Sequence, residues 1–76
     1  MRPTSITNNI RRLRFDADEM TQADLATRIG VTRQTLNAIE AAKYSPSLEL
    51  AFRIAAVFSV EIGDVFAYAP EEDAND

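Results

Sequence analysis

The stretch "TQADLATRIGVTRQTLNAIE", residues 21–40, contains two short runs of apolar residues at helical spacing, with a turn between them. Thr21 can cap the first helix, because Asp24 follows it at the spacing of a capping box. Gly30 stands where the first helix must end, and glycine easily adopts the left-handed conformation of a helix C-terminus. Thr32 can then cap the second helix. The stretch therefore predicts two helices joined by a tight turn.

The second of these helices has two unlike sides. At about 100° per residue, Arg33, Gln34 and Asn37 fall on one side, and Leu36 and Ile39 fall on the other. Arginine can form a fork of hydrogen bonds with guanine, and glutamine or asparagine can do the same with adenine. An ordinary solvated surface is the alternative interpretation of such a face. The preceding helix and tight turn favour DNA, because together they form the helix-turn-helix plan.

Size and composition indicate one small globular domain. The 76 residues leave no room for a second core, and 46% of them are hydrophobic and 26% charged. Cysteine and histidine are absent, which excludes disulfides and the usual zinc ligands, so no metal and no cofactor is expected. A domain of this size is marginally stable alone, and oligomerisation is the remaining aid to its stability.

No segment of the sequence is apolar over enough residues to cross a membrane. The longest apolar-rich run, "IAAVFSV" at residues 54–60, stops at Glu61, whereas a transmembrane helix needs about 20 residues. The first residues, "MRPTSITNN", lack the apolar segment of a signal peptide. We therefore expect a cytoplasmic protein with no membrane partner.

The net charge of −4 should repel DNA, but this charge is unevenly distributed. Residues 1–53 hold all 8 basic side chains and 6 of the 12 acidic ones, whereas residues 54–76 hold only acidic ones. Four of these acids lie in the tail, at Glu71, Glu72, Asp73 and Asp76. The net negative charge of the chain therefore comes mostly from its C-terminal end and not from the surface around Arg33.

Five helices and no strand are expected along the chain. The first is predicted from four apolar residues that share one helical face, Ile6, Ile10, Leu13 and Ala17. The third, which begins after Thr32, should reach about Ala42. The fourth spans about residues 47–58 and is apolar on most sides, as a central core helix is. A short fifth helix is expected at about residues 61–66.

These elements predict an all-α fold in three parts. Residues 1–8 form a partly flexible arm, residues 9–68 form the helical domain, and residues 69–76 form an acidic, disordered tail.

The run "MTQADLATRIGVTRQTLNAIEAAKYSPSLELAFRIAAVFSVEIGDVF" resembles the lambda-repressor-like, Xre/Cro-type helix-turn-helix proteins, especially their short stand-alone members. The resemblance covers residues 9–68 and is carried by "TQADLA", "GVTRQT", "IE" and "SPSLELA". It implies a compact five-helix domain that binds double-stranded operator DNA, commonly as a dimer on two half-sites.

The resemblance also implies roles for single residues. It assigns base reading to Arg33, Gln34 and Asn37, and contact with base or backbone to Thr35. It assigns phosphate contacts to Gln22, Thr32, Lys43 and Tyr44, and Gln22 would also brace the reading helix. It pairs Arg14 with Glu40 inside the fold.

Three positions depart from the family pattern. Ala42 stands where the family usually has glycine, so the reading helix is expected to run longer or to end differently. The segment from Arg14 to Gln22 is one residue longer than the commonest form, which places the pairing of Arg14 in question. Phe15 replaces a residue that is usually polar. We expect Phe15 in the core, with an exposed partner contact as the alternative.

Dimerisation is expected to use the C-terminal third of the domain. Its apolar residues are more than a short helix can bury alone, and they are Val60, Ile62, Val65, Phe66 and Tyr68.

The function favoured by the sequence is a sequence-specific DNA-binding transcriptional regulator, most simply a repressor acting as a dimer on a palindromic operator. The alternative is a protein-interaction module, such as an antitoxin, that uses the same domain, the tail or the face of Phe15 to bind a protein partner. An enzyme is not expected, because the chain lacks histidine, cysteine and a glycine-rich phosphate loop.

Overall fold

A computed structural model describes residues 4–70. It contains five helices, namely α1 (Ile10–Asp16), α2 (Gln22–Ile29), α3 (Arg33–Glu40), α4 (Leu48–Val57) and α5 (Ile62–Val65). It also contains two strands, β1 (Ile6–Asn8) and β2 (Phe66–Tyr68). The five helices agree with the sequence prediction, whereas the expectation that the chain contains no strand was wrong. The predicted acidic tail at residues 71–76 lies outside the described residues.

The two strands form a small antiparallel sheet in which Ile6 lies opposite Tyr68. The expectation that Ile6 extends the first helix was therefore wrong, and residues 6–8 belong to the folded unit. Asn8 explains the change of structure, because its Oδ1 accepts from the backbone N–H of Ile10 at 3.1 Å. This side chain thus takes the place of a helical partner just where the strand gives way to α1.

Three helices begin at hydroxyl caps. Each cap accepts a hydrogen bond from the backbone N–H three residues later, as seen in the pairs Thr21–Asp24, Thr32–Thr35 and Ser47–Leu50. These bonds satisfy donors that have no partner within the helix. The starts of α2, α3 and α4 therefore lie where their residue types indicate.

The turn between α2 and α3 brings the two helices together. Gly30 has a left-handed φ of 79°, and Val31 donates its backbone N–H to the carbonyl of Ala26 at 3.0 Å. Ala26 is buried, and its small side chain allows α3 to pack closely on α2.

Helix α3 ends before Ala42, the residue that it was expected to reach. Glu40 is the last helical residue, and Ala42 has a left-handed φ of 59°. The backbone N–H of Lys43 then bonds to the carbonyl of Ala38 at 2.9 Å. Ala42 thus adopts the conformation for which glycine is the preferred residue.

The core lies between the five helices. Its largest fully buried side chains are Ile10, Leu25, Ile29, Leu36, Ile39 and Ile54. None of the helices between residues 4 and 70 is long and apolar enough to cross a membrane.

Candidate nucleic-acid interface

The outer side of α3 carries the residues that the sequence assigns to base reading. Leu36 and Ile39 are buried, whereas Arg33, Gln34 and Asn37 are exposed. We call these three exposed residues the reading face. Together with Gln22 they line one shallow surface cleft. Side chains that donate and accept hydrogen bonds are therefore gathered at the surface of a single short helix.

Gln22 links α2 to the far end of this cleft. Its Nε2 donates to Oδ1 of Asn37 at 3.3 Å and to Oε1 of Glu40 at 3.2 Å. The bond to Glu40 orients the Gln22 amide, and the bond to Asn37 then braces one residue of the reading face. Gln22 thus occupies the bracing position that the resemblance implies.

Arg14 and Glu40 form the centre of a nearly buried network below the reading face. Arg14 donates from Nε to Oε2 of Glu40 at 2.7 Å and from Nη2 to Oε1 at 3.0 Å. Its Nη1 also donates to the backbone carbonyl of Met20 at 2.8 Å. The side chains of the pair are only 14% and 9% exposed. One arginine thus joins α1, α3 and the segment that leads into α2.

The longer segment between α1 and α2 does not prevent this pairing. Asp18 and Glu19 both have left-handed φ angles, of 64° and 59°. Two successive residues in this conformation tighten the loop, so that Met20 returns to Arg14. The extra residue is accommodated as local backbone strain.

Three of the four residues expected to contact phosphate lie at the two ends of α3, and the fourth, Gln22, opens α2. Thr32 is the N-cap, and its Oγ1 accepts from the backbone N–H of Thr35 at 3.1 Å and donates to Thr35 Oγ1 at 3.0 Å. Thr35 is half-buried, and its hydroxyl already has this partner. Lys43 and Tyr44 are exposed in the loop that follows the helix.

A role for Asn8 was missed in the sequence analysis. Its Nδ2 donates to the backbone carbonyls of Ile39 at 2.9 Å and Glu40 at 3.4 Å. It therefore ties β1 to the end of α3 and fixes where the loop carrying Lys43 begins. No local pattern could reveal this contact, because the partners are more than 30 residues apart.

Two expectations about apolar residues need correction. Phe15 was expected in the core, but its side chain is 65% exposed. Val65 was expected at a dimer interface, but it is buried inside the single chain, because α5 turns it toward the core. Val60, Ile62 and Phe66 are partly buried against the core, and Tyr68 is 72% exposed.

The chain is similar to known helix-turn-helix proteins. A family described as helix-turn-helix matches residues 10–65. An uncharacterised HTH-type transcriptional regulator of Methanocaldococcus jannaschii, MJ0272, is 57% identical over 53 residues, which are 70% of this chain and 80% of that protein. The uncharacterised HTH-type transcriptional regulator YgzD of Bacillus subtilis is 51% identical over 45 residues, which are 59% and 68% of the two chains.

A solved structure shares the fold. The crystal structure of a candidate DNA-binding protein from Bacteroides fragilis has a TM-score of 0.72 and 21% sequence identity. The similarity covers 82% of this chain and 98% of that one.

Fold and site together define a helix-turn-helix domain with a polar, exposed second helix. The chain belongs to the helix-turn-helix family, in agreement with the resemblance to lambda-repressor-like proteins.

Proposed function

We propose that this chain is a sequence-specific DNA-binding transcriptional regulator that inserts α3 into the major groove. The observation that carries the proposal is the reading face, where Arg33, Gln34 and Asn37 project from a helix whose other side is buried. Helices of this plan contact base edges mainly through their N-terminal residues. Arg33 and Gln34 occupy the first turn of α3.

Phosphate contacts would position the protein on the duplex without reading its sequence. The first-turn N–H groups of α3 lie beside Thr32, at the positive end of the helix dipole, and suit a phosphate oxygen. Lys43 and Tyr44 follow the other end of α3, and Gln22 lines the cleft beside the reading face. Contacts at both ends would set the angle at which α3 enters the groove.

We further propose that the regulator is a cytoplasmic homodimer that binds a palindromic operator and represses transcription by occupying it. Leu48 and Phe52, one turn apart on α4, are 69% and 53% exposed, and Tyr68 is 72% exposed. Large exposed apolar side chains that form one contiguous patch favour a protein contact over a solvated surface. With the partly buried Ile62 and Phe66, they form the dimer face that we propose.

A second candidate function is the binding of a partner protein, as in an antitoxin. The exposed Phe15 favours it, because Phe15 lies on α1 and the proposed dimer face uses α4, α5 and β2. Co-purification of the chain with another protein, abolished by Phe15→Ser, would support this role.

Selection of bound sequences from random DNA by the purified protein tests the main proposal. We expect a palindromic consensus with half-site centres about 34 Å apart, one turn of the duplex. Recovery of sequences without any consensus would contradict a sequence-specific regulator.

A further inference from the structure

The arginine and lysine side chains of residues 4–70 fall into two groups. Four arginines pair with carboxylates, in the pairs Arg12–Asp16, Arg14–Glu40, Arg28–Asp24 and Arg53–Glu49. The other three basic side chains have no hydrogen bond or ion pair within the described residues, and these are Arg11, Arg33 and Lys43. Arg33 and Lys43 are already proposed to meet DNA. Arg11 is the remaining cation without a counter-charge in this part of the chain.

Arg11 lies on the same side of the molecule as the reading face. It lines a surface cleft together with Arg14, Gln22, Asn37, Glu40 and Ala41, and the Glu40 carboxylate in this cleft is already bonded to Arg14. The neighbouring cleft is lined by Gln22, Arg33, Gln34 and Asn37, so the two clefts share Gln22 and Asn37. We call these two adjoining clefts together the groove, in which Arg33 lies at the start of α3 and Arg11 beside its C-terminal end.

We propose that Arg11 binds a DNA phosphate at this end of the groove; the inference rests on the proposed function. The first turn of α3 carries Arg33 and Gln34 into the major groove, whereas Arg11 belongs to α1 and lies beside Asn37 and Ala41. A cation at the margin of a groove-bound helix meets the sugar–phosphate backbone. Arg14 lines the same cleft but is not available to bind the phosphate, because its guanidinium is hydrogen-bonded to Glu40 and to the Met20 carbonyl.

An ion pair with Glu19 would be the alternative role for Arg11. Arg11 also lines a second cleft, together with Arg14, Phe15, Glu19 and Met20. Arg11 and Glu19 form no ion pair. The Arg11 guanidinium therefore has no ion-pair partner to displace before it binds a ligand, and its removal should leave the fold intact.

The test compares Arg11→Gln with Arg12→Gln. Both changes remove one positive charge from neighbouring positions of α1, but Arg12 pairs with Asp16. Binding to a mixed-sequence DNA duplex and to the duplex recovered by selection is measured over a salt series. Arg11→Gln should weaken binding to the two duplexes several-fold and by the same factor. It should also lower the logarithmic salt slope by about 0.9 for each phosphate that the variant no longer binds. Arg12→Gln should change neither quantity appreciably.

Arg11→Lys provides a rescue, since lysine also binds phosphate as a point charge. This variant should restore the salt slope, and urea unfolding should be the same for all three variants and the wild type. Equal effects of Arg11→Gln and Arg12→Gln would mean that DNA binding depends only on the net charge of the protein, and this result would overturn the proposal. A loss of base preference in Arg11→Gln, or failure of lysine to rescue, would also overturn it. If the wild-type protein binds no DNA, the proposed function itself fails.

Discussion

Gln22 and Asn37 are joined by a 3.3 Å hydrogen bond, from the side-chain amide that opens α2 to the side-chain oxygen of a residue on the reading face. The second amide hydrogen of Gln22 is used as well, since Nε2 also lies 3.2 Å from Glu40 Oε1. A phosphate bond from this amide nitrogen would require one of these bonds to be released. The backbone N–H of Gln22, in the first turn of α2, has no partner within its own helix and is the better phosphate donor.

The Arg14–Glu40 pair should be essential to stability. Arg14→Ala leaves a nearly buried carboxylate without its partner, and such a loss costs about 3–5 kcal/mol. Arg28→Ala is the matched control, because it removes an exposed pair with Asp24 and should cost less than about 1 kcal/mol. Urea unfolding measures both free energies. Equal losses in the two variants would mean that the buried network does not hold the helices together.

Ala42→Gly should stabilise the protein. Ala42 has a φ of 59°, and the left-handed region costs an L-residue about 1–2 kcal/mol, a cost that is absent for glycine. Part of this gain is lost to the greater freedom of glycine in the unfolded chain, so we expect a net gain of about 0.5–1 kcal/mol. Ala38→Gly, inside α3, should instead destabilise by about 1 kcal/mol. Thermal unfolding distinguishes the two variants. A lower melting temperature for Ala42→Gly than for the wild type would contradict the left-handed conformation of Ala42.

Phe52→Lys should convert the proposed dimer into a monomer. Phe52 is half-exposed on α4, so lysine fits the folded chain but places a charge on the proposed dimer face. Phe15→Lys makes the same change on α1 and should leave the dimer intact. Light scattering at micromolar concentration gives the mass of each variant. A wild-type protein that is monomeric both alone and on DNA would rule out the dimer.

Removal of residues 71–76 should strengthen binding to random DNA at low salt. This segment carries four carboxylates, and the repulsion should fade once salt reduces the Debye length below about 10 Å. The melting temperature should stay nearly unchanged, as measured by circular dichroism. Unfolding of the truncated chain would show that the tail is part of the fold.

The helix starts were predictable because their chemistry is local. Thr21, Thr32 and Ser47 each act on an N–H only three residues away, and their residue types are sufficient to indicate a cap. The strands were not predictable for the opposite reason. Each has three residues, too few for an alternating pattern, and Ile6 pairs with Tyr68 across most of the chain.

The reading face could be placed from the sequence because helical spacing separates it from Leu36 and Ile39. The roles of the three arginines on α1 could not be separated in this way. Arg11, Arg12 and Arg14 are alike in type, and only tertiary packing shows that Arg14 is buried on Glu40 and that Arg11 lines the groove. Exposure of Phe15 likewise depends on how α1 is rotated against the core.

The central claim is that the reading face recognises base sequence, and Gln34→Ala tests it most directly. Gln34 is neutral, so its loss should affect base discrimination without a large change in salt dependence. Lys43→Ala is the control, because removing a phosphate-binding cation should weaken operator and random DNA alike. It should also lower the logarithmic salt slope by roughly one for each phosphate that Lys43 binds.

The measurement is the affinity of Gln34→Ala for the selected operator and for each of its single-base variants. One bidentate base contact provides about 1–3 kcal/mol of discrimination. We therefore predict that Gln34→Ala loses its preference at one or two positions of each half-site and keeps it elsewhere. Full discrimination by Gln34→Ala at every operator position would contradict the assignment of this face as the reader of the sequence.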